Sequence, residues 1–326
     1  MVLASGSIVL LAGLFVVLLR PSVPEAKATW LWDAQLVESH TQDIIEFAKG
    51  NGVTTVFLQI GNEVSDASYR RFVAAATKAK LEVHALNGHP EWALREQRKE
   101  AVRFLDWVKQ YNDQSRPDER FAGVQFDVEP YLLKSWGTKQ DAMVEQWMES
   151  ARIWVERAQR DQLKIGAAVP FWLNGIEHEE LGKGRDLRQW MVDKFDYVAI
   201  MAYRDAAEAI YEVSRATLEE ADERNKQVWV GVELTKSQEG PGVSFYEQPL
   251  ESVTQELDKL VSLVGKHSSF KGVAVHSYES WRDKQETKVA QKTDGASADD
   301  ASPIIIKEVQ QAQRLYRRWA CCMDQE

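Results

Sequence analysis

The 326-residue chain is 44% hydrophobic and 28% charged, ordinary globular material with enough apolar surface for one large α/β domain or two small ones. Its formal charge of -10 offers no basic field to collect phosphates, which argues against a nucleic-acid partner. Tryptophan is plentiful, at 12 residues; most should pack in a core, leaving those at strand ends as stacking surfaces.

The N-terminus carries an address. Residues 2–19 have no charge, and Ile8 to Leu19 form a dense apolar run followed by Arg20, two prolines and Ala26-Lys27-Ala28. Run and small-residue site together read as a secretory signal peptide, residues 1–28, cut after Ala28. No Lys or Arg precedes the run, so an uncleaved signal anchor, attached to the membrane through residues 2–19, is the alternative. In both cases the folded part is expected outside the cytoplasm: secreted, periplasmic or anchored facing outward. The only cysteines, Cys321 and Cys322, are adjacent, cannot easily reach disulfide geometry with each other, and imply no internal staple.

From Thr29 onward strand and helix patterns alternate. Residues 28–33 read as a strand and 41–51 as a helix, with Ile44, Ile45, Phe47 and Ala48 at helical spacing. Residues 53–60 are the clearest strand, β-branched and apolar, starting after Gly52 at a helix C-cap. A helix over 68–80 and a strand over 81–86 open into the turn-rich Asn87-Gly-His-Pro-Glu-Trp92. A helix over 91–111 leads to 121–131, a short apolar strand that ends in Asp127 and Glu129 and is stopped by Pro130. Then come helices at 143–160, 187–194, 206–225 and 250–264, alternating with strands at 163–172, 197–203, 228–234 and 272–278. Residues 284–302, polar and small, read as a flexible excursion, and Ile304 to Trp319 as a closing helix. Charge runs such as Glu219-Glu-Ala-Asp-Glu-Arg224 read as solvated helix faces.

Strands and helices in this count and over this length match an α/β fold, a single-domain (β/α)8 TIM barrel over residues 29–326. An open doubly wound sheet should carry a glycine-rich loop after its first strand, where Asp33-Ala-Gln-Leu-Val-Glu38 has no glycine. Residues two apart on a strand face the same way, so Asp127 and Glu129 should look into one space. Two carboxylates there are costly unless paired or used.

A barrel puts its chemistry at the C-terminal ends of its strands. Those positions hold Asp33, Gln59 and Asn62, His84 with Asn87 and His89, Asp127 and Glu129, Trp172 and Asn174, Tyr203 with Arg204 and Asp205, Glu233, and His276 with Tyr278 and Trp281. Acids supply protons and stabilise cationic transition states, while amides and aromatics hold sugar hydroxyls and ring faces. Such a set suits glycoside hydrolysis, in which one carboxylic acid protonates the leaving oxygen and a second group meets the oxocarbenium-like centre. The catalytic candidates are Glu129, Asp127, Glu233 and Tyr203. The candidate substrate contacts are Trp32, Asp33, Gln59, Asn87, His89, Trp172, Arg204, His276, Tyr278 and Trp281.

The run Gly123-Val-Gln-Phe-Asp-Val-Glu129 resembles the fourth-strand signature of family 18 glycoside hydrolases, the chitinase-like barrels, and Met201-Ala-Tyr203 resembles that family's sixth-strand Met-x-Tyr. The resemblance implies Glu129 as general acid/base, with Asp127 and Tyr203 orienting a substrate N-acetyl group that acts as its own nucleophile. Trp281 would be the tryptophan under the sugar, and the substrate an amino-sugar-containing polysaccharide of a cell wall or matrix. The family's earlier Asp is replaced by Gln125, the Asp usual after its sixth-strand Tyr by Arg204, and its third-strand Ser-x-Gly-Gly is not evident.

Glu129-Pro130 and Glu233 also resemble the retaining clan whose fourth strand ends in Asn-Glu-Pro and whose seventh ends in a nucleophilic Glu, although Val128 stands where the Asn is expected. An ion pair from Glu233 to Arg204 would explain that acid without catalysis, and Tyr203 could be a core tyrosine with a wet hydroxyl. Two other functions stay open. Gln125 and Arg204 suggest a catalytically silent glycan-binding barrel, and His89, His276 and the acids a metal-dependent amidase or deacetylase. No cofactor and no metal site are expected, because no His-x-His strand pair or Glu-x-x-His helix is present.

Overall fold

The computed structural model describes residues 26–294. Eight parallel strands close into a barrel in chain order: β1 (Lys27–Leu31), β2 (Val53–Gln59), β3 (Glu82–Asn87), β4 (Gly123–Phe126), β5 (Lys164–Pro170), β6 (Tyr197–Met201), β7 (Gln227–Glu233) and β8 (Phe270–His276). The helices are α1 (Leu36–Ser39), α2 (Thr41–Gly50), α3 (Asp66–Lys78), α4 (Arg98–Asp113), α5 (Trp136–Arg160), α6 (Leu187–Lys194), α7 (Ala207–Arg224), α8 (Leu250–Val264) and α9 (Tyr278–Asp294). The chain divides into two compact units, Met1–Glu279 with the barrel and Ser280–Glu326.

Alternation along the strands fills the barrel. Ala28 and Trp30 of β1, Phe57 of β2, Leu86 of β3, Tyr197 and Ala199 of β6, Trp229 of β7 and Ala274 of β8 form one buried cluster. The alanines leave room for the large rings: Phe57 stacks on Tyr197 (6.1 Å, 14°) and meets Trp229 edge-on (6.3 Å, 87°). A Cβ at Gly166 would lie 2.1 Å from the Tyr197 ring, so that glycine makes the space the tyrosine occupies. Each of these buried aromatics contributes about 2–3 kcal/mol of apolar transfer, which makes this layer a plug of packed core. His84 belongs to the same layer. As the third residue of β3 it sits mid-strand, 2% exposed, with Nδ1 2.8 Å from the Tyr197 hydroxyl, so it is not one of the strand-end residues.

Several boundaries shift for identifiable reasons. β4 ends at Phe126, so Asp127 and Glu129 lie just past the sheet; the Asp127 N–H still reaches the Asn87 carbonyl at 3.1 Å. Pro130, which has no N–H to give a ladder, opens a 3-10 turn over Pro130–Leu132. Pro90 likewise starts a separate turn, Pro90–Ala93, and α4 begins only at Arg98. β1 starts at Lys27, and Ala28 pairs with Thr55 and Ala274, so a cut after Ala28 would take two residues out of β1.

The run at 219–224 is not a uniformly solvated face. Glu220 is 8% exposed and accepts from Arg224 Nε (2.5 Å) and Gln189 Nε2 (3.0 Å), because that side of α7 faces α6. Residues 284–294, expected in a flexible excursion, lie in α9. The apolar run at 8–19, the closing helix at 304–319, Cys321 and Cys322 fall outside the described residues. Among the described residues no helix is long and apolar enough to cross a membrane.

Candidate active site

Two residues beyond Trp30, Gln125, Gly231 and Ala274, the inward-facing columns of β1, β4, β7 and β8 end in Trp32, Asp127, Glu233 and His276. The barrel therefore carries its polar residues one layer above the aromatic plug, at the C-terminal mouth. Glu233 and His276 are register partners, and His276 Nδ1 lies 2.9 Å from Glu233 Oε2 and 3.1 Å from Oε1. The Trp32 indole N–H donates to His276 Nε2 at 2.8 Å, and the Thr235 N–H donates to Glu233 Oε1 at 2.5 Å. An indole can only donate, so Nε2 accepts and the imidazole proton is assigned to Nδ1, facing the carboxylate. Burial pushes the His276 pKa down, but the Glu233 charge and hydrogen bond outweigh it and hold it above the ordinary value. Glu233 thus has a partner, and it is His276. Arg204 lies elsewhere, donating to the Tyr203 carbonyl at 2.7 Å with its guanidinium 4.6 Å over the Phe171 ring.

The two acids of the β4 end titrate high. Burial first, and then the Glu129 charge, push Asp127 up from 3.8 to about 8, against an opposing pull from His276. Burial also raises Glu129, with Glu239 adding to the effect and Tyr131 and His276 offsetting part of it. The Tyr131 hydroxyl donates to Glu129 Oε2. Tyr203 is held well above the ordinary phenol value, by burial first and then by Glu233, Asp127, Glu129 and Glu239, so it remains a neutral donor among acids. Its ring centroid lies 6.1 Å from that of His276. Asp127 Oδ1 and both amide atoms of Gln125, which is 0% exposed, have no hydrogen-bond partner within the described protein. Gly88 brings the β3 loop onto this corner: a Cβ there would stand 1.8 Å from the Asp127 carbonyl oxygen.

The structure sorts the remaining candidates. Trp172, 36% exposed, meets the Tyr131 ring edge-on at 4.8 Å and so borders Glu129. Asp33 is half-buried; its N–H and that of Trp32 donate to Glu279 Oε1, at 3.0 and 2.8 Å. Gln59 and Asn87 are half-buried and spend amide groups on neighbouring backbone, both reaching the Ile60 carbonyl. His89 is exposed and caps the turn at 90–93, while Asn62 and Asn174 are exposed. Tyr278 does not belong to the mouth: it is 1% exposed with its ring against Phe47 of α2 (5.0 Å), in the shell between strands and helices. Trp281 belongs to the second unit, on α9. Among the described residues no three His, Cys, Asp or Glu gather as a metal-ligand set, and His276 has both ring nitrogens engaged while His89 caps a turn.

Sequence reasoning missed Tyr131, Glu239 and Glu279. Tyr131 had a local signal, standing one residue past the Glu129-Pro130 pair. Glu239 comes from the 234–249 loop, whose path no periodicity specifies.

No protein-family model matches the sequence. No curated protein matches it either. Solved structures do match in fold. A chitinase from Bacteroides thetaiotaomicron superposes with a TM-score of 0.52 at 12% identity, covering 78% of this chain and 90% of that one. The spore cortex-lytic enzyme SleL of Bacillus megaterium gives 0.53 at 11% identity, covering 82% of this chain and 75% of that one. At such identities the likeness is one of architecture: the chain shares the (β/α)8 barrel fold of these two enzymes at low sequence identity.

Proposed function

We propose that the chain is a glycoside hydrolase acting on an amino-sugar-containing polysaccharide, with Glu129 as general acid/base. The observation that carries this reading is the pair Asp127 and Glu129, both pushed up by burial at the mouth of the barrel and accompanied by the neutral Tyr203. A carboxyl whose pKa burial raises holds its proton to higher pH than an exposed one and can deliver it to a glycosidic oxygen. The shared fold with a chitinase and a spore cortex-lytic enzyme supports an amino-sugar glycan as substrate class.

For the second catalytic group the geometry favours substrate assistance over an enzyme nucleophile. Glu233 already accepts from His276 and the Thr235 N–H, whereas Asp127 has an unpartnered oxygen and lies with Tyr203 beside Glu129. Asp127 and Tyr203 then hold the substrate's acetamido group while its carbonyl oxygen attacks C1. The uncharged run at 2–19 supports delivery of the barrel outside the cytoplasm, by a cleaved signal or a membrane anchor.

The test is release of reducing ends from oligomers of N-acetylglucosamine and from peptidoglycan. Glu129→Gln should lower the rate by about a hundredfold to ten-thousandfold, the span of general acid–base catalysis. Glycan binding by wild type and Glu129→Gln alike, without product from either, would establish a silent glycan-binding barrel instead.

A further inference from the structure

Tyr131 stands two residues past Glu129 on the turn opened by Pro130, and the Leu132 N–H returns to the Glu129 carbonyl at 3.0 Å. Pro130 fixes its own φ, so the path from Glu129 to Tyr131 has little freedom. The tyrosine ring meets Trp172 edge-on at 4.8 Å and 76°, and Trp136 at 6.2 Å and 77°. The turn, the two tryptophans at its ring and Glu129 at its hydroxyl thus hold one tyrosine. That hydroxyl donates to Glu129 Oε2, so a proton carried by Glu129 resides on Oε1.

We propose that Tyr131 is a positioning residue for Glu129: it occupies Oε2, leaves Oε1 to carry and deliver the proton, and is itself held by Trp172 and Trp136. This rests on the glycosidase reading above. In the chemical step Oε1–H passes its proton to the glycosidic oxygen as the substrate's acetamido carbonyl oxygen bonds to C1, the glycosidic C1–O bond breaks and that bond's electron pair goes to the leaving oxygen. Glu129 is left as a carboxylate whose Oε2 keeps the Tyr131 O–H, a contact that strengthens once the acceptor is charged. When water then attacks C1, the bond from C1 to the acetamido oxygen breaks, its electron pair returns to the acetamido group, and Oε1 takes a proton from the water. Because the contact is stronger to the anion than to the acid, Tyr131 also limits how far burial raises the pKa of Glu129.

The experiment compares wild type, Tyr131→Phe and Trp172→Ala in the full chain. The first readout is the Glu129 carboxyl titration by carbon-13 NMR, with its resonance assigned from Glu129→Gln. The second is the pH profile of kcat/KM on a 4-methylumbelliferyl chito-oligosaccharide. Tyr131→Phe removes one oxygen and keeps the ring, so it should raise the Glu129 pKa and carry the alkaline limb of the profile to higher pH. It should also lower kcat/KM by about tenfold, the loss of one charge-assisted hydrogen bond. Trp172→Ala should move both readouts the same way by less. An unmoved titration and alkaline limb in Tyr131→Phe overturn the proposal while leaving the hydrolase reading intact. If wild type cleaves no such substrate, that reading fails, and the NMR titration alone decides whether Tyr131 holds the acid.

Discussion

Asp127 is where function and stability oppose each other. Its folded pKa of about 8 lies above the ordinary 3.8, so the folded chain binds this proton more tightly than the unfolded one. Its contribution to stability is complete below about pH 4 and is lost as pH rises through about 8. Asp127→Asn does not titrate, so its melting temperature relative to wild type should climb between these limits. The gain is roughly 2 °C per kcal/mol in a chain this long, measurable by thermal unfolding across pH. A constant difference at all pH values would mean that Asp127 does not titrate high. Glu233 separates the two routes for the reaction's second group. If it were the nucleophile, azide would restore turnover to Glu233→Ala and yield a glycosyl azide. Held as it is by His276 and Thr235, it should yield none in a chromatographic assay of products.

Secondary elements show how much the sequence specified and where it stopped. Helices α6 and α8 coincide with the expected 187–194 and 250–264, because apolar periodicity and clear ends agreed. An Asp186–Gln189 capping box starts α6. The eight strands were legible because parallel barrel strands are nearly continuous apolar runs. The order of residues along a strand was less so. His84 was grouped with the mouth residues although the strand read over 81–86 and the observed β3 both place it mid-strand, where it hydrogen-bonds Tyr197 in the barrel interior. Tyr278 was read as the last residue of a strand over 272–278, yet β8 ends at His276 and Tyr278 opens α9, packing outward on Phe47. The link between Glu233 and His276 was not legible, since it joins residues 43 apart through register alone. Gly88 has its meaning at this scale too. A methyl group cannot fit against the Asp127 carbonyl, so Gly88→Ala should force the β3 loop away from β4. It should cost about 1–3 kcal/mol in urea unfolding and reduce turnover more than glycan binding.

At the scale of the molecule, closure depends on β1, which pairs with β2 on one side and β8 on the other. A chain begun at Ala26 should therefore fold, whereas one begun at Thr29 lacks the Lys27 and Ala28 pairs and should show a lower urea midpoint. For a secreted form, sequencing of the mature N-terminus should find it upstream of Lys27. The aromatic plug has a further consequence. Beneath the acids lie the uncharged Gln125 and then Trp30, Phe57, Tyr197, Trp229 and His84, all at most 3% exposed. The barrel is in effect a well with a sealed floor. In the proposed reaction, a glycan lying across its rim would cut Glu129 and Asp127 off from bulk solvent for the length of a turnover. The compartment would then hold a fixed proton inventory, and the hydrogen lost to the departing sugar could be replaced only from the water molecule that completes the cleavage.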